Sequence, residues 1–185
     1  MRKWNSGLIV LCLLSVCLPA QAGYRSVLNK WTKSKQMYAV TDVHAKAIWH
    51  ATYFSPEFRR AKAERHTKKK YLEPVEAAQY IAAEEKKQAE AHEFFVGIYT
   101  RKPYRHITSG SDSFWEMVLT TEAGEVLSPT LVEPVGVHPY EEVMYPYLNR
   151  WSKGYRVVFP KAPLGDSFRL TLRSVVGKST LKWSP

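Results

Sequence analysis

Cysteine is nearly missing from this chain: 185 residues hold two, Cys12 and Cys17, both within the first 22. Removal of that segment excludes disulfides, thiolate metal sites and cysteine nucleophiles. Long apolar runs are missing too. The run from Gly7 to Leu18 is shorter than the ~20 residues a membrane-spanning helix needs. There is no internal repeat, no phosphate-cradling glycine loop, no dinucleotide fingerprint and no nucleophile elbow. Negative charge is in deficit, with 17 Asp and Glu against 27 Lys and Arg.

What is present begins with an export signal. Arg2 and Lys3 form a positive start, Gly7 to Leu18 an apolar stretch, and Ala20-Gln21-Ala22 a small-x-small cleavage site. The expectation is a cleaved segment 1–22 and a single exported domain 23–185, periplasmic or secreted. An exported chain without disulfides suits a bacterial periplasm. A competing pattern, Leu14-Ser15-Val16-Cys17, is similar to a lipidation box and would anchor the chain through Cys17; Val16 is larger than the residue that box requires. Of the formal charge of +10, Arg2 and Lys3 supply two, leaving +8 on the exported part. That balance favours anionic partners.

Residues 24–36 read as an irregular basic arm docking through Trp31. Residues 43–54 alternate as a strand, with Val43, Ala45, Ala47, Trp49, Ala51 and Tyr53 facing the core. Ser55-Pro56-Glu57 starts a helix over 56–70, and Glu73-Pro74 starts a second that runs to about His92. The first helix is strongly basic and the second acidic, so an antiparallel pairing sets opposite charges together. Strands follow around 94–99, 115–119, 155–159, 168–172 and 181–183. Residues 126–137 contain Pro129 and Pro134 and read as edge strand or loop. The predicted fold is mainly β: a β-sandwich of about seven or eight strands with a two-helix insertion at about 56–92, placed after the first strand. The alternative is an α+β sheet with helices on one face.

The stretch Ala51-Thr52-Tyr53-Phe54-Ser55-Pro56-Glu57-Phe58-Arg59-Arg60-Ala61, the strand holding Trp115, and Tyr155-Arg156-Val157-Val158-Phe159-Pro160 resemble a family of uncharacterised exported bacterial proteins. The similarity covers most of the exported part. It implies a location outside the cytoplasm and no particular chemistry.

Candidate sites are sparse. Tyr140, Tyr145, Tyr147 and Trp151 crowd a stretch with Pro139 and Pro146, where exposed aromatics stack on sugar rings or seat a peptide and buried ones lid a core. Arg169, Arg173, Lys178 and Lys182 share the outward face of the last hairpin, a candidate anion surface together with the basic run 59–70. Nucleic acid is not expected, because no aromatics interleave with those cations. Asp42, His44 and His50 share one strand face, and His106 or His138 would complete a metal set; Lys46 between the histidines opposes a cation. Glu141 and Glu142 adjoin His138, but as strand neighbours they would point to opposite faces. Ser109, Ser111 and Ser113 read as a surface turn.

The sequence therefore predicts a non-enzymatic, monomeric binding or structural protein of the bacterial envelope, without catalytic residues or cofactor. Its partner would be a protein or an anionic envelope component. A periplasmic metal-dependent hydrolase is the alternative.

Overall fold

A computed structural model describes residues 23–39, 42–101, 107 and 113–184. The segment 1–22, with its signal and Cys17 readings, lies outside the described residues. The chain opens with α1 (Tyr24–Trp31), β1 (Thr32–Ala39) and β2 (Asp42–Tyr53), then α2 (Pro56–Lys70) and α3 (Pro74–Glu90). It continues through β3 (Ala91–Thr100), β4 (Glu116–Thr120), β5 (Val126–Leu127), β6 (Leu131–Val135) and α4 (Pro139–Met144). It ends with β7 (Lys153–Pro160), β8 (Phe168–Ser174) and β9 (Gly177–Trp183).

The strands form two antiparallel sheets, β1-β2-β3-β7-β6 and β5-β4-β8-β9. Their inner faces meet through aromatic rings. Tyr53 lies 4.9 Å edge-on to Phe168, and Phe94 lies 5.6 Å from Trp183. Trp49 reaches across to donate from Nε1 to Ser179 Oγ at 3.0 Å. Of the residues read as core-facing, Ala47, Trp49, Ala51 and Tyr53 are buried in this core, Ala45 is half-buried, and the Val43 side chain lies outside the described ones. β1 and β9 run close at one edge, where Lys35 Nζ donates to Thr180 O at 3.2 Å.

The helices cover the outer face of the first sheet, so the fold is a mainly β sandwich with a third, helical layer. α2 starts where Ser55 Oγ accepts from Phe58 N at 3.1 Å with Pro56 in the first turn. It stops at Tyr71, whose left-handed backbone (φ +53°) lets Leu72 N–H close on Thr67 O at 3.1 Å. In α3 a reciprocal Glu73–Glu76 capping box makes the start. Its alanines bury little, and the buried residue of this helix is a charge, Glu84.

That charge belongs to a network holding the layers together. Arg59, 1% exposed, donates from Nη1 to Glu84 at 3.2 Å, from Nη2 to Glu93 at 2.7 Å and from Nε to Gln88 at 3.0 Å. Arg156 on β7 donates to the other Glu93 oxygen at 2.7 Å. Burial alone would raise Glu84; the hydrogen bond from Lys87 and the charges of Lys62 and Arg59 outweigh it and hold the carboxyl below its ordinary 4.5.

Several local expectations are corrected. Residues 24–36 are not an irregular arm: Val27, Leu28 and Trp31 fall on one buried face of α1, and 32–39 pair with β2. The helical insertion consequently follows the second strand. The Trp31 docking does hold, with Trp31 O accepting from Trp183 Nε1 at 2.9 Å. Residues 139–144 form a helix rather than a strand, so the opposite-face argument for Glu141 and Glu142 does not apply. The proline-bearing stretch becomes β5 and β6, both sheet edges, where a missing N–H costs nothing.

Two measurements follow from this packing. Glu93→Gln removes the charge shared by Arg59 and Arg156 and is expected to cost about 3–5 kcal/mol, read from the urea midpoint at constant slope. The second concerns His92, buried with Nδ1 3.1 Å from Tyr53 Oη and Nε2 2.7 Å from Ala162 O. Burial pushes it below its ordinary 6.5. The unfolded chain then takes up the proton first. The stabilisation is complete above pH 6.5 and is lost as pH falls through the depressed folded value. Unfolding free energy measured from neutral to acid pH is expected to fall accordingly, and His92→Gln to flatten part of that fall.

Candidate functional site

Residues 145–152 connect α4 to β7 across the outer face of the first sheet, beyond the helices. The sheet makes room for them. Gly97 and Gly154 are direct partners on β3 and β7. A Cβ at Gly97 would stand 2.6 Å from Leu148 Cδ2, and one at Gly154 would stand 3.0 Å from Val135 O. Into this trough Leu148 packs, while Tyr145 stacks on Phe95 at 3.9 Å with planes 4° apart. Tyr147 stacks on His50 at 4.8 Å and 14°, and its Oη lies 2.8 Å from Thr52 Oγ1, itself 2.7 Å from Thr32 Oγ1.

The segment then turns sharply. Asn149 Oδ1 accepts from Trp151 N at 2.8 Å and from Ser152 Oγ at 3.2 Å. This turn holds the Trp151 ring out from the surface, 64% exposed, with the Arg150 guanidinium 4.8 Å from its centroid. Between the turn and the strands lies a cleft of about 380 Å³. Ile48, His50 and Tyr99 form its strand wall; Tyr147, Asn149, Trp151 and Ser152 form the other. Burial lowers His50 and raises Tyr147 far above the ordinary 10, so both rings are neutral at pH 7. The cleft offers flat neutral rings with a few hydrogen-bonding groups, a composition suited to holding a ligand.

The sequence candidates do not converge on one place. Tyr147 and Trp151 line this cleft, joined by His50, which had been weighed as a metal ligand. Tyr145 is 4% exposed and belongs to the packing beneath. Tyr140 sits on α4, where its Oη meets His66 Nδ1 at 2.6 Å and Lys70 approaches its ring. Arg169, Arg173 and Lys182 lie on the outer face of the second sheet, where Arg169 opposes Lys182 and Arg173 opposes Lys178. Arg173 is held by Glu116 in a two-pronged pair at 2.8 and 2.7 Å. α2, which carries the basic run 59–70, lies over the first sheet, so the two basic regions face opposite sides and form no common surface. Ile48, Tyr99 and Asn149 were not legible as site residues: their strand or turn signals carry no hint of the wall they share.

His138 accepts from the first turn of α4 and its N–H is received by Glu141 at 3.2 Å, so this pair caps a helix. Among the described residues no three His, Cys, Asp or Glu side chains are grouped to hold a metal. The side chains of Asp42 and His44, and residues His106, Ser109 and Ser111, lie outside the described ones. No described helix is long and apolar enough to cross a membrane. No family model matches this chain, nor does any curated protein or solved structure.

Tyr147→Phe keeps the ring stack on His50 and removes the hydroxyl beside Thr52. It is expected to cost about 0.5–1.5 kcal/mol in chemical denaturation, whereas Tyr147→Ala, which removes the stack as well, costs more.

Proposed function

We propose that this protein is an exported, non-enzymatic binding or structural protein of the bacterial envelope. Its cleft at Tyr147 and Trp151 takes a neutral, ring-shaped group, a sugar residue of an envelope glycan. The observation that carries this reading is the Trp151 ring, held exposed by the Asn149 turn opposite the neutral His50–Tyr147 stack. An exposed indole forming one wall of a cleft lined by further rings is a surface that a ligand covers. Sugar rings present one apolar face to an aromatic and hydroxyls at their edge. Asn149, Ser152 and His50 supply partners for those hydroxyls. The export signal and the resemblance to exported bacterial proteins support the location.

Titration of the purified protein with neutral oligosaccharides, followed by NMR, tests the reading. Shifts confined to Ile48, His50, Tyr99, Tyr147 and Trp151 are expected. Trp151→Ala is expected to weaken binding tenfold or more, about 1.4 kcal/mol or above, and Lys182→Ala on the opposite side to leave it unchanged. Saturating oligosaccharide without shifts at these residues would overturn the glycan assignment.

A further inference from the structure

A second cleft, of about 390 Å³, lies between α1 and the C-terminal half of α2. Arg65, Lys68 and Lys69 line it against one acid, Glu64, and Tyr24 and Tyr71 flank them. Lysines in a last helical turn are accounted for by the helix dipole. Three other observations are not. Arg65 stands earlier in the helix, with its guanidinium 4.6 Å from the Tyr24 ring centroid and Nη2 donating to Val143 O at a long 3.4 Å. Among the described residues its buried Nε has no hydrogen-bond partner. A guanidinium donor without a partner costs free energy, and the half-buried Arg65 side chain presents the rest of its charge at the cleft wall. Tyr71, at the cleft rim, is 91% exposed, and Val75 and Val143 nearby on α3 and α4 are 69% and 46% exposed. Cations beside exposed aromatic and aliphatic side chains match the polar–apolar boundary of a bilayer.

Building on the envelope location but not on the glycan cleft, we infer that this end of the helical layer docks on an anionic membrane surface. Arg65, Lys68 and Lys69 bind the phosphate of a lipid headgroup, with Tyr71 and Val75 in the interfacial region. A guanidinium offers the fork that two phosphate oxygens need, and the lysines add charge without geometry.

The test is flotation of the purified protein with phosphatidylcholine vesicles and with vesicles that also contain phosphatidylglycerol. Binding is expected to require phosphatidylglycerol and to weaken with added salt. The exposed pair Lys68→Gln/Lys69→Gln is expected to reduce it roughly tenfold or more, with the melting temperature unchanged. Arg65→Gln should do the same, and its melting temperature is measured because Arg65 also packs on Tyr24. Trp151→Ala should bind vesicles normally, which separates this inference from the glycan reading. Equal binding to both vesicles, no binding to either, or full binding by the double lysine variant overturns it. Inorganic phosphate perturbing Arg65 without vesicle binding would show a free-anion site and overturn the membrane assignment.

Discussion

Arg59 is the charge around which the layers are fixed. It sits near the start of α2, yet its three donor groups reach Gln88 and Glu84 on α3 and Glu93 on β3. Three consecutive elements thus share one buried guanidinium. Its burial is tolerable because every side of the fork meets an oxygen, and because Arg156 and Lys87 saturate the remaining carboxylate oxygens. A hydrophobic residue in its place would supply area without direction. The fork admits one placement of the helical pair on the sheet, and α3, with little apolar area of its own, has few other means of being positioned.

The same outer sheet face serves a second purpose beyond the helices. Moving along it from Glu93 through Phe95 to Gly97, side chains pass from a charge to a ring to none. The helical pair docks at the charged end, Tyr145 stacks in the middle, and the chain settles into the trough at the glycines. The aromatic cleft is therefore a product of how the layer is built: the segment pressed into the trough has to turn at Asn149, and that turn leaves Trp151 outward. Both proposed surfaces, the aromatic cleft and the basic one, lie on the helical side of the sandwich, whereas the cations of the last hairpin lie on the other.

How much of this was legible can be argued residue by residue. Alternation from Ala47 to Tyr53 is a local pattern that tertiary packing reinforces, so the strand and its core face were readable. The caps at Ser55 and Glu73 act within one turn and were readable for the same reason. Residues 24–39 were not, because their basic, polar composition masks a three-residue apolar face of Val27, Leu28 and Trp31 that takes meaning from Tyr53 and Trp183. The role of Arg59 was equally hidden among the basic residues of α2; nothing local marks one arginine of a run as the buried one. The site fared similarly. Tyr147 and Trp151 stood out as crowded aromatics, but their partition from Tyr140 and Tyr145 depends on a helix ending at Met144 and on two glycines contributed by other strands.

The insertion of α2 and α3 between neighbouring strands bears on how the first sheet closes. Tyr53 and Phe94 are direct partners in the sheet, yet the whole helical pair separates them along the chain. An unstructured connection of that length would make their meeting an entropically expensive loop closure. The helical pair turns the connection back on itself, so its two ends stand side by side where β2 and β3 pair. Because Arg59 ties that pair to Glu93 on β3, docking of the helices and closure of the central strand pairing reinforce one another.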